Sequence, residues 1–282
     1  MISILKKIIS SPIKLFKLII IQVLSLKMNK SEFIDNQTLR FTKLGLSRKL
    51  ALEKLENIRR KYNIEISDMS SEHEVIFSAL SLLDNFKVNK ILEIGTYDAK
   101  NIKLLSYLFN KSQLETIDLE EDDENFKNFY NRHEKDRLRK FVEQRDNILT
   151  SLQNVNFRKK NSLELLKEND KYDLIWIDGA HGYPFVTIDI VNSLRILNVN
   201  GYILCDDIYL EAFKNSDKMY QSTGGHQTLK ELEKNKVISF HLIHKRLTKK
   251  DLVIPSKRKF IAIIKKKILK ICFIVCGKFK NI

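Results

Sequence analysis

Two short stretches hold the residues best suited to chemistry in this 282-residue chain. DLIWIDGAHGY places Asp178 three residues ahead of His181, and GYILCDDIY ends on the pair Asp206 and Asp207. In each, an apolar run stops at an acid, as when a buried strand hands a carboxylate to the rim of a sheet. Three carboxylates brought together repel one another unless protons or a cation lie between them. Oxygen-only ligands suit Mg²⁺, which keeps waters and accepts substrate oxygens. His181, with an ordinary pKa near ~6.5, could take a proton from a hydroxyl at neutral pH. A hydroxyl beside a bound dication would give that proton up more easily. The same acids could instead cap helices or orient a cofactor without any metal.

A second stretch, ILEIGTYDAK (Ile91 to Lys100), is an apolar strand ending in Glu93 and Gly95 before a polar turn opens a helix. Ligands of open α/β sheets lie beyond such strand ends, where a glycine lets the backbone come close. Asp118 ends the next strand, LETID, and an acid there can accept hydrogen bonds from both ribose hydroxyls. That indicates a nucleoside without separating a methyl donor from a nicotinamide. The second and third glycines of the dinucleotide fingerprint are missing, which argues against NAD.

On these residues the chain resembles class I S-adenosylmethionine-dependent methyltransferases. It is most similar to small-molecule O-methyltransferases of the catechol and caffeoyl-CoA kind and their bacterial relatives, over roughly residues 72–265. The family loop is E-x-G-x-x-x-G, often written LEIGT; Glu93, Gly95 and Thr96 match it, and Ala99 replaces the second glycine. The resemblance implies that Glu93 faces the methionine part of the cofactor and that Gly95 lets the backbone pass beneath it. It implies adenine contacts from Asn161 and Ser162, although polar residues after a strand are commonly just caps. It also implies a metal held by Asp178, Asp206 and Asp207, Asp207 standing where the family has Asn. His181 stands where the catechol type has lysine, which makes it the expected catalytic base, and Asp178 is shared between cofactor and metal. Tyr183, Tyr209 and His226 are candidates for the acceptor pocket; His241 and His244 are read as structural, and Trp176 as buried.

The elements that must position these residues alternate. From Lys90 onward ILEIG, LETID, VNFRKKNS, YDLIWID and YILCDD are strands separated by helical patterns. KVISFHLIH and KRKFIAIIKK follow as two strand-like runs with no helix between them, so they should pair as a hairpin. The expected fold is a Rossmann-like α/β three-layer sandwich, with a seven-stranded, mostly parallel sheet closed by a C-terminal antiparallel hairpin. Ahead of it, SSEHEVIFSALSLLDNF is a capped amphipathic helix. Residues 31–69 look like a helical extension outside the core, and residues 70–265 the methyltransferase domain.

Charge divides the chain further. The net charge is +15. Residues 1–30 carry six lysines and residues 256–282 nine Lys or Arg, with no acid in either, so the body between is formally neutral. The basic residues alternate with Ile, Leu and Phe. Residues 1–30 read as a basic amphipathic helix and residues 266–282 as a basic apolar tail, a pattern suited to an anionic membrane surface. The uncharged run from Leu18 to Leu26 is too short to span a bilayer, which takes about 20 residues. No signal-peptide cleavage site follows it. Nucleic acid is not an expected partner, because its binders carry basic charge on a folded face or in arms poor in large apolar residues. Cys205, Cys272 and Cys276 form no zinc spacing or disulfide framework, consistent with a reducing compartment.

The sequence therefore leads to an S-adenosylmethionine-dependent, Mg²⁺-assisted O-methylation of a small-molecule or lipid-linked saccharide hydroxyl. The expected location is the cytoplasm, peripheral on the inner face of the cell membrane, and a homodimer stays open. Rival readings keep the fold but make the transfer metal-independent or direct it to nitrogen, or make the protein a non-catalytic membrane scaffold.

Overall fold

The structure is a computed structural model that describes residues 12–64, 72–128, 132–211 and 222–267. Three helices come first: α1 (Pro12–Lys27), α2 (Lys30–Lys43) and α3 (Arg48–Tyr62). They lead to α4 (Glu72–Leu80), and the alternation then runs β1 (Lys90–Ile94), α5 (Lys100–Leu108), β2 (Gln113–Asp118), α6 (Glu124–Asn128), α7 (Lys135–Thr150) and β3 (Val155–Lys159). A 3₁₀ turn at Ser162–Lys167 precedes β4 (Tyr172–Ile177), α8 (Phe185–Ile196) and β5 (Leu197–Ile208). The chain closes with α9 (Gly224–Lys234), β6 (Ile238–His244), the short α10 (Lys249–Leu252) and β7 (Phe260–Lys266).

The seven strands form one sheet in the order β3-β2-β1-β4-β5-β7-β6. β7 is antiparallel to both its neighbours and the other strands run parallel, as expected for a Rossmann-like methyltransferase fold. One helical turn, α10, does sit inside the hairpin connection that was expected to hold none. Strand order reverses between β1 and β4, and the crevice beyond their carboxyl ends is where such sheets bind ligands.

Strand alternation divides the core in two. Ile91, Leu174, Trp176 and Leu204 face α4, α5 and α7, whereas Leu92, Ile175, Ile177 and Ile203 face α8 and α9. Both faces are covered, which is why LIWI and YILC are apolar throughout.

The helical extension differs from expectation. Phe41 and Ala51 are fully buried, Leu55 is 1% exposed, and all three join the core on the first face. The reason lies in α4, whose residues are all buried, the charged Glu72 and Glu74 among them. Buried acids need partners. Arg48 of α3 grips Glu72 through both carboxylate oxygens, at 2.6 and 3.1 Å, and Arg59 pairs with Glu74. From α2, Gln37 donates to Glu72 at 2.9 Å and exchanges hydrogen bonds with the backbone of His244 on β6. Residues 31–64 are thus the outer wall of the domain. His244 is structural, as expected, and His241 lies exposed on β6.

Candidate active site

The crevice at the β1–β4 reversal is assembled from three strand ends. β1 delivers Glu93 and then Gly95, whose φ of +98° suits only glycine. A Cβ on Gly95 would stand 2.5 Å from the carbonyl oxygen of Asp178, so the turn after β1 and the end of β4 touch backbone to backbone. Glu93 is fully buried and accepts from Thr116 Oγ1 at 2.6 Å and Asn101 Nδ2 at 2.7 Å. Thr96 joins this chain through a 2.7 Å hydrogen bond between its hydroxyl and that of Thr116. Burial pushes the Glu93 carboxyl up to about 8, against the pull of these hydrogen bonds.

β2 delivers Asp118, whose two carboxylate oxygens accept the backbone N–H groups of Tyr97 (3.0 Å) and Leu119 (2.9 Å). Its carboxylate thereby ties the turn after Gly95 to the second strand. Burial still raises its pKa. Asn161 uses its side-chain oxygen to cap the 3₁₀ turn, accepting from Leu163 N–H at 3.0 Å. Ser162 hydrogen-bonds the buried Asp189, whose carboxyl burial lifts to about 6. These two residues thus have local structural tasks beside the expected adenine contact.

β4 and the turn after it bring Asp178 and His181 together. His181 Nε2 lies 3.4 Å from Asp178 Oδ1; the imidazole is 6% and the carboxylate 39% exposed. Burial lowers the imidazole pKa, but Asp178 and Asp207 outweigh it and the net shift is upward. Asp178 itself ends below its ordinary value, since His181 and Lys245 overcome the cost of burial.

β5 delivers Asp206 and Asp207, and consecutive strand residues should point to opposite faces. The register of β5 with β7 shifts between Cys205 and Ile208, and Asp207 has a φ of +53°. This bulge turns both carboxylates to one place.

The cation that meets them is a lysine. Lys245, immediately after β6, is 3% exposed and its ammonium contacts both Asp206 and Asp207. Lys259, just before β7, adds a contact to Asp207 at 2.5 Å. The two lysines are joined through the backbone, Lys245 N–H donating to Lys259 O at 2.9 Å, so the hairpin delivers them together. Burial and the shared ammonium divide the acids. Asp206 is pushed up to about 7 and Asp207 is held well below the usual carboxylate range.

This geometry does not fit the expected Mg²⁺. The ammonium of Lys245 fills the position between Asp206 and Asp207 where the ion was placed. A dication about 4 Å from an ammonium is repelled by roughly 8 kcal/mol at an effective dielectric of about 20. Among the described residues no group of three or more His, Cys, Asp or Glu side chains is arranged to hold a metal.

The organic cofactor fits better. A buried carboxylate (Glu93) and a half-buried one (Asp118) on adjacent strands, a glycine that admits close approach and the reversal crevice suit an amino-acid nucleoside. Glu93, Gly95, Thr96 and Asp118 would hold it.

Of the acceptor candidates, Tyr209 is 4% exposed with Lys259 5.5 Å above its ring. Tyr183 is 73% exposed, and His226 lies on α9 against Phe240. His73 was missed by sequence reasoning. It stacks on Trp176 at 5.4 Å, close enough to Asp178 and Lys245 to feel their charge, and burial lowers its pKa to about 3. Trp176 itself is 1% exposed, as expected.

Residues 92–208 match the model of a family described as a methyltransferase domain. The matched segment runs from β1 to β5 and so takes in the strand ends that build the crevice. No curated protein matches the chain. Among solved structures, the chain is similar to the O-methyltransferase TomG from Streptomyces achromogenes, involved in tomaymycin synthesis and in complex with S-adenosylmethionine. The two share 16% identity, with 82% of this chain and 95% of that one covered and a TM-score of 0.49. A Bacillus cereus O-methyltransferase in complex with S-adenosylhomocysteine shows 18% identity, coverage of 77% and 90%, and a TM-score of 0.47. The N-methyltransferase NodS from Bradyrhizobium japonicum shows 13% identity, coverage of 70% and 96%, and a TM-score of 0.47.

Proposed function

We propose that the protein transfers a methyl group from S-adenosylmethionine to a hydroxyl oxygen, with His181 receiving the hydroxyl proton. The observation that carries this reading is the Asp178–His181 pair, set beside the Gly95 loop at the reversal of the sheet. When bound, the cofactor supplies a methyl group already activated on a sulfonium. The chain has to hold the acceptor in line with it and take up a proton. Asp178 faces Nε2 of His181 and fixes the tautomer that carries a proton there. Nδ1 is then the nitrogen that takes the proton from the acceptor, and Asp178 stabilises the resulting imidazolium. The oxygen–methyl bond forms as the sulfur–methyl bond breaks, and the sulfur keeps the electron pair. A carboxylate-backed histidine suits a hydroxyl better than an amine, which is already nucleophilic when neutral.

The acceptor class we favour is a small-molecule or lipid-linked saccharide hydroxyl met at the inner face of the membrane. α1 supports this, for Phe16, Ile19, Ile20, Val23, Leu24 and Leu26 lie exposed along it in a basic segment. No helix among the described residues is long and apolar enough to cross a membrane. Residues 1–11 and 268–282, including Cys272 and Cys276, lie outside the described residues.

The test is to supply methyl-labelled cofactor to the full chain with membrane and soluble fractions of saccharides. Label recovered in an alkali-stable methyl ether supports the reading. Label recovered only as methylamine would move the transfer to nitrogen.

A further inference from the structure

We infer that Lys245 is a built-in cation that replaces a divalent metal, making methyl transfer in this site metal-independent. This rests on the reading of the crevice as a methyltransferase centre. Three carboxylates, Asp178, Asp206 and Asp207, converge on the rim, and such a cluster is tolerable only with positive charge among them. The chain provides that charge from its own hairpin. Lys245 is as buried as the acids it touches, bridges Asp206 and Asp207, and acts on Asp178 as well. Lys259 closes the other side of Asp207. Both lysines are fixed by the β6–β7 ladder rather than by a surface loop, since the Lys245–Lys259 backbone hydrogen bond continues the pairing that ends at His244 and Phe260. The β5 bulge presents the two acids to this ammonium, so an irregular strand end places the acids and a regular hairpin places the lysines.

The consequence for the substrate is direct. A metal would select an acceptor able to chelate through two adjacent oxygens. An ammonium already committed to two carboxylates imposes no such demand, so a single hydroxyl next to His181 is sufficient.

The experiment uses the full chain in three forms: wild type, Lys245→Ala and Lys245→Met. Mn²⁺ binding is followed by electron paramagnetic resonance, and binding of S-adenosylhomocysteine by calorimetry with EDTA or with excess Mg²⁺. Wild type should bind no Mn²⁺ in the micromolar range, and its affinity for S-adenosylhomocysteine should be the same in EDTA and in Mg²⁺. Lys245→Ala should uncover the carboxylates and tighten Mn²⁺ binding by about tenfold or more. Lys245→Met, which keeps the stem and its packing, should gain affinity in the same direction. Stoichiometric micromolar Mn²⁺ binding by wild type, lost in Asp206→Asn, would overturn the inference, and this arm needs no lysine variant to fold. Failure of S-adenosylhomocysteine to bind would instead count against the methyltransferase centre and leave the Mn²⁺ result to judge Lys245 separately.

Discussion

Gly95 and Asp178 meet so closely that a single added Cβ on Gly95 would stand 2.5 Å from the Asp178 carbonyl oxygen. The Gly95 loop and the turn that carries Asp178 and His181 are thus one rigid junction of β1 and β4. Gly95→Ala would force both a left-handed backbone and a clash with main chain that cannot move aside. It should destabilise the protein by about 2 kcal/mol or more and abolish S-adenosylhomocysteine binding. Urea unfolding and calorimetry check the two effects, and an alanine variant of unchanged stability would refute the junction.

His181→Ala should lower kcat by about 10²–10⁴-fold, the usual worth of a positioned general base. The affinity for S-adenosylhomocysteine should stay unchanged, because the proposed role of His181 is toward the acceptor. Asp178→Asn should reduce kcat in the same sense by leaving the imidazole unoriented. Steady-state kinetics beside calorimetry separate this from a general loss of structure.

Glu93 gives a pH prediction of definite sign. Burial lifts its carboxyl to about 8 in the folded protein, well above its ordinary value of about 4.3. Between these values the folded state holds a proton that the unfolded state has released, so the contribution of Glu93 to stability declines as pH rises through that window. Unfolding followed across the window should show this slope in wild type and a flatter one in Glu93→Gln. A cationic cofactor favours the carboxylate, so binding near neutral pH should release a proton. Calorimetry in two buffers of different ionisation enthalpy measures that release directly.

The outer wall gives a stability prediction. Glu72→Ala would leave Arg48 and Gln37 without their buried partner. Breaking such a pair costs about 3–5 kcal/mol, so the variant should unfold at clearly lower urea. A loss below about 1 kcal/mol would mean that α2 and α3 do not brace α4.

Much of this was legible in the sequence, because strands covered on both faces are apolar throughout and stop abruptly at their functional acids. ILEIG, YDLIWID and YILCDD each announced a strand end, and the hairpin runs announced an antiparallel close. Lys245 could not be singled out, since it stands in a hairpin connection rich in lysine and arginine and only the ladder decides which one turns inward. That both Asp206 and Asp207 reach it depends on a bulge and a positive φ that no spacing reveals. The extension was placed outside the core because α2 and α3 are polar in pattern. Their polar residues are there to partner Glu72 and Glu74, acids that a helical wheel would have left in solvent.

The most direct test of the account is calorimetric titration of the full chain with S-adenosylhomocysteine, compared with Asp118→Ala. One-to-one binding that is lost in the variant is the expected result. No binding at millimolar ligand would contradict the assignment of the β1–β4 crevice as a methyltransferase centre.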